Sequence, residues 1–406
     1  MATARIRVGS GRSLSGSDMS DRIPGFTSTG SKRPDALFGR FAGADDLPLR
    51  MTTAAGCRVR DERGREYVDF VMALGAVALG YANPAVTRAA VEAVQSGVIG
   101  PLPPVLERDV AERLAALMPW MERVRFLKTG ADAVSAALRL SRAHTGRELV
   151  VACGYHGWHD WCQGGDPGVP AAIGTLVRRI PFNHSDSARR VIRAAADTLA
   201  AVIVEPVVEA APDPEWLAVL REETAAAGAV LVFDEIKTVG RVALGGASER
   251  WGVQPDLMVI GKAIANGFPL AAVGGAASVM DEAHRTWISS TTATEFVSLA
   301  ACAATLDLLA SEGIPAQLGI LGLPLYDGFM ELAQRHPRQV DRVIGIPEMC
   351  ALAFRTEDAG ARVAADCARR GLLFKRGAYN FVSAAHTPAD VTRLLDTLAE
   401  VLDADA

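Results

Sequence analysis

Three short apolar runs, at residues 200–204, 229–233 and 257–261, punctuate the middle of the chain, and each is followed or closed by one ionisable residue: Glu205, Asp234 and Lys262. These charged ends lie 29 and 28 residues apart, about the length of a strand, a helix and a second strand. Residues 216–226, inside the first interval, carry a helix-like pattern. Continuously apolar strands alternating with helices predict an α/β architecture, a mainly parallel sheet covered on both faces. Ligands of such sheets bind outside the carboxyl ends of the strands, so Glu205, Asp234 and Lys262 are predicted to converge on one crevice.

Residues 56–70 alternate about the turn Asp61-Glu62-Arg63-Gly64, the pattern of a small hairpin. From Pro84 the period becomes helical, with Val86, Ala90, Val91 and Val94 on one face, and a second helix runs from Leu106 through Val110 and Leu114 to Leu117. Apolar strands at 124–127 and 150–153 flank a helical stretch at 134–143. After Gly313 the chain passes Gly319, Gly322 and Pro324 as a connection into a helix at 325–335. Strands around 349–354 and 380–383 and a last helix at 388–402 follow. The chain thus divides into a Ser- and Gly-rich arm over 1–33, expected to be flexible, an N-terminal β segment over 34–83, a large domain over 84–312 and a C-terminal α+β cap over 313–406.

Composition narrows the partners. Half of the 406 residues are hydrophobic, 22% are charged and the formal net charge is −5, as in an ordinary globular protein. No run of five basic residues supplies an electrostatic footprint for nucleic acid or an anionic membrane. The two longest uncharged stretches, residues 70–87 and 263–280, are broken by Gly75, Gly80, Asn83 and Pro84, and by Asn266, Gly267 and Pro269, so neither reads as a membrane span. Six cysteines without a CxxC pair suit free thiols in a reducing cytoplasm. The first 17 residues carry Arg5, Arg7 and Arg12, several Ser and no acid, as transit peptides do, but no apolar secretory core; a flexible arm is the expectation. A small polar ligand is the expected partner.

Lys262 emerges from an apolar run into a poorly hydrated place, where desolvation lowers a lysine's pKa and exposes the lone pair that a Schiff base requires. Asp234, one strand over, offers a fixed carboxylate to a cationic ring nitrogen. That pair suggests pyridoxal phosphate, whose aldehyde needs a lysine and whose pyridinium needs an acid. On residue types alone, an ordinary strand-end lysine and a helix-capping aspartate remain the simpler reading. Thr129 and Asp132 fit a capping box, and Gly130 and Ala131 leave the first N–H groups of the helix open to an anion. Tyr155, after the strand at 150–153, is placed to stack on a flat cofactor or to sit half-buried as a core aromatic. His156, His159 and Asp160 form an H-x-x-H-D cluster, but a zinc site wants a further ligand that the loop does not announce, so no metal is expected. No Walker A or GxGxxG follows a strand, and no GxSxG marks a hydrolase.

Taken in order, Phe126-Leu127-Lys128-Thr129-Gly130-Ala131-Asp132-Ala133, Gly154-Tyr155-His156-Gly157, Glu205-Pro206, Phe233-Asp234-Glu235-Ile236-Lys237-Thr238 and Gln254-Pro255-Asp256-Leu257 through Gly261-Lys262 resemble the class III pyridoxal-phosphate-dependent aminotransferases. Within that family the likeness is to the branch containing glutamate-1-semialdehyde aminomutase, and it runs from about Gly56 to the last helix. The resemblance implies fold type I of the PLP-dependent transferases: a large domain around a seven-stranded, mainly parallel sheet and a small α+β domain from the N- and C-terminal segments. It implies a homodimer with shared active sites. Lys262 would carry pyridoxal 5′-phosphate, and Asp234 would pair with its pyridinium nitrogen. Thr129, Gly130 and Ala131 would hold the phosphate, Tyr155 would stack on the ring with His156 beside it, and Ile236 would pack on the other face. Glu205 would lie on the substrate side. Residues 287–291 look like the family segment that lends a phosphate-binding threonine to the neighbouring subunit, which points to Thr291.

The departures bear on substrate. The family's S-G-T-E-A is here Thr129-Gly130-Ala131-Asp132-Ala133, its T-G-F-R is Thr238-Val239-Gly240-Arg241, and the common N-P-L-A after Thr291 is missing. Lys32 and Arg33 align poorly with the aminomutase's carboxylate-binding arginine, and residues 374–380 do not reproduce the carboxylate clamp of the ornithine and 4-aminobutyrate enzymes. The expected activity is transamination from a donor amine, such as glutamate, to an aldehyde or ketone of a sugar-like or other specialised metabolite. Glutamate-1-semialdehyde aminomutation is the alternative, and a catalytically idle PLP fold acting as a binding protein is the reading from another class.

Overall fold

The alternating segment at 56–70 folds as the centre of an antiparallel ladder. In the computed structural model of the protein, which describes residues 22–404, β1 (Met51–Ala55), β2 (Arg58–Asp61) and β3 (Glu66–Asp69) pair in sequence. Asp61 shapes the turn: its Oδ1 accepts the N–H groups of Arg63 at 2.9 Å and Arg65 at 2.8 Å. β1 escaped the sequence reading because its residues are largely exposed and show no alternation. Residues 1–21 of the expected arm lie outside the described residues, and Gly30–Lys32 form a 3₁₀ turn.

The large sheet comprises β4 (Arg123–Leu127), β5 (Leu149–Cys153), β6 (Val177–Arg179), β7 (Leu199–Val204), β8 (Val230–Asp234), β9 (Leu257–Ile260) and β10 (Ala271–Gly275), in the order β4-β10-β9-β8-β7-β5-β6. β10 is antiparallel to both neighbours, and the other pairs are parallel. Every residue of β7, β8 and β9 is buried, as strands covered on both faces require. Alternate side chains serve opposite layers. Ala201, Ile203, Val230, Val232 and Val259 pack with the helix Gly130–Thr145, whereas Val202, Val204, Leu231 and Phe233 pack with residues of the helices Ser185–Ala195 and Pro214–Ala226.

Four strands complete the C-terminal part: β11 (Val340–Ile346), β12 (Met349–Phe354), β13 (Leu372–Leu373) and β14 (Asn380–Phe381). β13 pairs parallel with β3, setting Leu372 opposite Val68, so N- and C-terminal segments share one sheet. The connection expected around Gly319, Gly322 and Pro324 is instead part of one helix, Ile314–Arg335. A side chain at Gly322 would place its Cβ 2.1 Å from the Pro347 carbonyl, so glycine here serves close helix packing. The interior proline, which disfavours a helix by about 3 kcal/mol, is tolerated because Leu318, Leu325, Phe329 and Leu332 anchor the helix in the core. The helix Pro84–Ser96 buries Val86, Ala90 and Ala93 but exposes Val91 and Val94, contrary to the expected apolar face.

All six cysteines are free and buried, and no cluster of three metal-ligating side chains exists among the described residues. No single helix among them is long and apolar enough to cross a membrane. The helices Phe296–Ser311 and Ile314–Arg335 meet that test only as a pair bent by 70°.

His386 ties the C-terminal segment to β3. Its Nδ1 accepts the Ser383 N–H at 3.0 Å, so Nε2 bears the proton it donates to the Asp69 carbonyl at 3.1 Å. Burial pushes its pKa from 6.5 down to about 4. The unfolded chain therefore binds this proton first, and the contribution to stability is complete above about pH 6.5 and lost as the pH falls toward 4. That gap corresponds to about 3 kcal/mol. Urea unfolding of wild type and His386→Asn at pH 7.5 and 4.5 is expected to show an acid loss about 2 kcal/mol smaller in the variant; equal losses would refute the assignment.

Candidate active site

Sheet register brings the predicted residues together. Cys153 lies opposite Val204 and Val204 opposite Phe233, so Gly154 and Glu205, each one residue beyond its strand, stand level with Asp234, the last residue of β8. Asp234 pairs in turn with Val259, three residues before Lys262. β4 ends at the same side and leads through Lys128 and Thr129 into the helix Gly130–Thr145.

That helix starts on the expected capping box. Thr129 Oγ1 accepts the Asp132 N–H at 3.1 Å, and Asp132 Oδ2 accepts the Thr129 N–H at 3.0 Å. The N–H groups of Gly130 and Ala131 belong to the first turn and have no intrahelical acceptor. Glycines let the loops close on one another. A Cβ on Gly130 would meet Ile236 Cδ1 at 2.4 Å, one on Gly157 would meet Ala131 Cβ at 2.7 Å, and one on Gly154, at φ +100°, would meet Glu205 Oε1 at 2.7 Å.

Asp234 and His156 form a buried pair. His156 Nδ1 lies 2.8 Å from Asp234 Oδ2, Asp234 Oδ1 accepts the Ile236 N–H at 3.3 Å, and the His156 ring stacks on Trp161. His156 therefore serves Asp234, while His159 turns to Ser135, 2.7 Å from its Oγ. The H-x-x-H-D cluster thus splits between separate partners.

Lys262 sits in a 3₁₀ turn with φ +51°, a left-handed conformation that costs a lysine energy and that neighbouring packing must impose. Asn266 supplies part of it: its Oδ1 accepts the N–H groups of Ala78 and Leu79, and its Nδ2 donates to the Gly80 carbonyl. No hydrogen bond or ion pair engages the Lys262 amine among the described residues. Burial first, and the nearby Lys237 second, push its pKa down to about 8 against the pull of Glu205 and Asp234.

Glu205 is held by two neighbours. Its Oε1 accepts the Tyr155 N–H at 2.6 Å, and its Oε2 pairs with Lys237. The Lys237 ammonium lies 4.7 Å from the centre of the Tyr379 ring, whose hydroxyl donates to the Val208 carbonyl. Burial opposes charge on Lys237, but Glu205 and other neighbours more than offset it and hold its pKa above the ordinary lysine value. Tyr155 itself is 68% exposed, and Thr291 is exposed as well. The structure thus gathers Thr129, Gly130, Ala131, Tyr155, His156, Glu205, Asp234, Ile236 and Lys262 at one end of the sheet.

Sequence reasoning missed Lys237, Tyr379 and Asn266 as members of this group. It also missed two buried supports. Glu235 accepts from Ala247 N at 2.8 Å and Ser248 N at 2.7 Å, fixing the turn after Asp234. Arg241, fully buried, donates to the carbonyls of Gly75, Glu348 and Val382.

The family model for aminotransferase class-III matches residues 41–388. The chain belongs to the class III aminotransferase family. A glutamate-1-semialdehyde 2,1-aminomutase of Desulfotalea psychrophila is 32% identical over 384 residues, covering 86% of this chain and 89% of that protein. The corresponding protein of Pyrobaculum aerophilum is 38% identical over 252 residues, a match covering 58% of this chain and only 59% of that protein's length. In structure, the FumI protein of Sphingopyxis sp. MTA144, in its PLP internal aldimine form, superposes with a TM-score of 0.86 at 27% identity, covering 95% of this chain and 94% of that one.

The family is one of pyridoxal-phosphate-dependent enzymes, and the residues present fit that cofactor. The helix start beside Thr129 offers unpaired N–H groups and a dipole to a phosphate. A buried carboxylate and an amine with a depressed pKa stand at the neighbouring strand ends.

Proposed function

We propose that this protein is an aminotransferase in which Lys262 and Asp234 carry the chemistry, moving an amino group from a donor such as an amino acid to a carbonyl acceptor. The lowered pKa of the Lys262 amine beside a buried carboxylate is the observation that most supports this reading. When bound, pyridoxal phosphate supplies an aldehyde that takes up the substrate amine and a ring that accepts electrons from the Cα–H bond. Lys262 would hold the cofactor covalently, yield to the incoming amine and then carry a proton from the substrate Cα. Its neutral fraction near pH 8 equips it as a base. Asp234, oriented by His156, would keep the ring nitrogen protonated. Thr129, Gly130 and Ala131 would bind the phosphate, Ile236 would back the ring and Tyr155 would cover it.

A visible absorption spectrum of the purified protein, repeated with a panel of amines including glutamate and amino sugars, tests the reading. Loss of the cofactor band with one donor is expected; no response to any amine would refute transamination. The matches to glutamate-1-semialdehyde aminomutases favour a second reading, intramolecular aminomutation, which proceeds without an external donor. Turnover of glutamate 1-semialdehyde with and without added amine separates the two. An idle binding fold would show neither, and the presence of both Lys262 and Asp234 argues against it.

We also infer a homodimer. Val91, Val94, Val98, Ile99, Leu102 and Val105 are 46–76% exposed on one stretch of chain, an apolar run suited to a partner surface. Phe296, whose N–H bonds to the Val98 carbonyl, ties the segment carrying Thr291 to this stretch, and Thr291 would reach the second copy's phosphate site from that side. Sedimentation is expected to give a dimer, shifted toward monomer by Leu102→Asp with Val94→Asp; a wild-type monomer would overturn the inference.

A further inference from the structure

Lys237 is the charged side chain in the crevice that the mechanism above leaves without a task. It follows Asp234 by one turn, pairs with Glu205 Oε2 and lies against the Tyr379 ring. Its side chain keeps 17% exposure against 5% for Glu205, so it is the more accessible half of the pair. Other cations near these strand ends are committed elsewhere. Arg241 is fully buried among carbonyls, Lys128 pairs with Glu295, Arg179 donates to the carbonyls of Gly154 and Cys162, and Lys375 donates to the Ser31 carbonyl.

Each half of the Glu205–Lys237 pair has a second holder. Glu205 Oε1 accepts the Tyr155 N–H at 2.6 Å, a bond that does not involve the oxygen facing Lys237. Lys237 has the face of Tyr379, whose ring attracts a cation when its counter-ion moves away. The pair can therefore open without stranding either charge. A single ammonium on a flexible stem also exchanges carboxylates without breaking the paired bonds that a guanidinium forms.

We propose that Lys237 binds the carboxylate of the substrate, exchanging Glu205 for it as the substrate enters. This rests on the transamination reading and narrows it to amines and carbonyl compounds that carry a carboxylate, held with their reacting end toward Lys262. Lys237 is then a specificity-determining residue, and Glu205 is the internal anion that occupies it between turnovers.

Calorimetric titration of the holoenzyme with acetate, 3-phenylpropanoate and glutarate, and with acetamide and 3-phenylpropanamide as uncharged controls, tests the assignment. Wild type is expected to bind at least one carboxylate saturably and its amide at least tenfold more weakly. K237M is expected to lose at least tenfold in carboxylate affinity, with partial recovery in K237R. Should K237M fail to fold, the double variant E205Q/K237M removes both charges and is expected to show the same loss. Absence of saturable carboxylate binding by the wild type, or equal binding by the variants, overturns the proposal. Binding that depends on Lys237 in a protein whose cofactor no amine converts would instead overturn transamination alone.

Discussion

Replacing Lys262 with alanine is expected to abolish turnover and release the cofactor from covalent attachment. The proposed roles put two demands on this amine, nucleophile and proton carrier, and the neighbouring Lys237 does not meet them, because its surroundings hold its pKa above the ordinary lysine value and keep it charged. Loss of general acid–base catalysis alone costs roughly 10²–10⁴-fold, and loss of the covalent link adds to it. Gel filtration after borohydride treatment reports the attachment, and steady-state assay reports the rate. Cofactor that remains covalently bound to Lys262→Ala would remove Lys262 from the proposal. Recovery of part of the proton-transfer rate by added small amines is the accompanying expectation, since the substitution vacates the space that the lysine side chain fills.

Asp234→Asn is expected to lower turnover by at least two orders of magnitude while the protein stays folded. Asparagine keeps the shape and an oxygen for the Ile236 N–H, but it removes the charge facing His156 and the proposed ring nitrogen. Breaking a buried ion pair costs about 3–5 kcal/mol, and about 1.4 kcal/mol is tenfold in rate. Asp234→Glu, which retains the charge, is expected to fall between the two. Measuring kcat alongside cofactor affinity separates chemistry from binding, and near-normal kcat in Asp234→Asn would refute the role.

Much of this arrangement was legible in the chain because parallel strands write their burial directly into sequence. β7 and β9 are apolar throughout and β8 is apolar up to its closing Asp234, and Glu205 and Gly261-Lys262 follow the other two, so the row of strand ends could be read before any pairing was known. The capping box at Thr129 was equally visible, since both its hydrogen bonds join residues three apart. Helix breakers misled where packing overruled them. Gly322 and Pro324 read as a connection, yet the contact of Gly322 with the Pro347 carbonyl belongs to a helix fitted against a loop 25 residues further on. Val91 and Val94 misled for the opposite reason, because apolar periodicity marks a face to be covered without saying by what.

The sequence by itself determined the α/β class, the alternation of strand and helix, and the strand-end positions of Glu205, Asp234 and Lys262, all of which follow from local burial and spacing. Only the tertiary structure decided that His156 supports Asp234 from 78 residues away, that Glu205 is shared between Tyr155 and Lys237, and that Tyr379, from the C-terminal segment, lies against that lysine. It also decided the left-handed turn at Lys262, which Asn266 secures by binding residues 78–80. Such contacts join distant parts of the chain through hydrogen bonds and ring faces that leave no period in the sequence, so strand register and loop closure alone assign the partners.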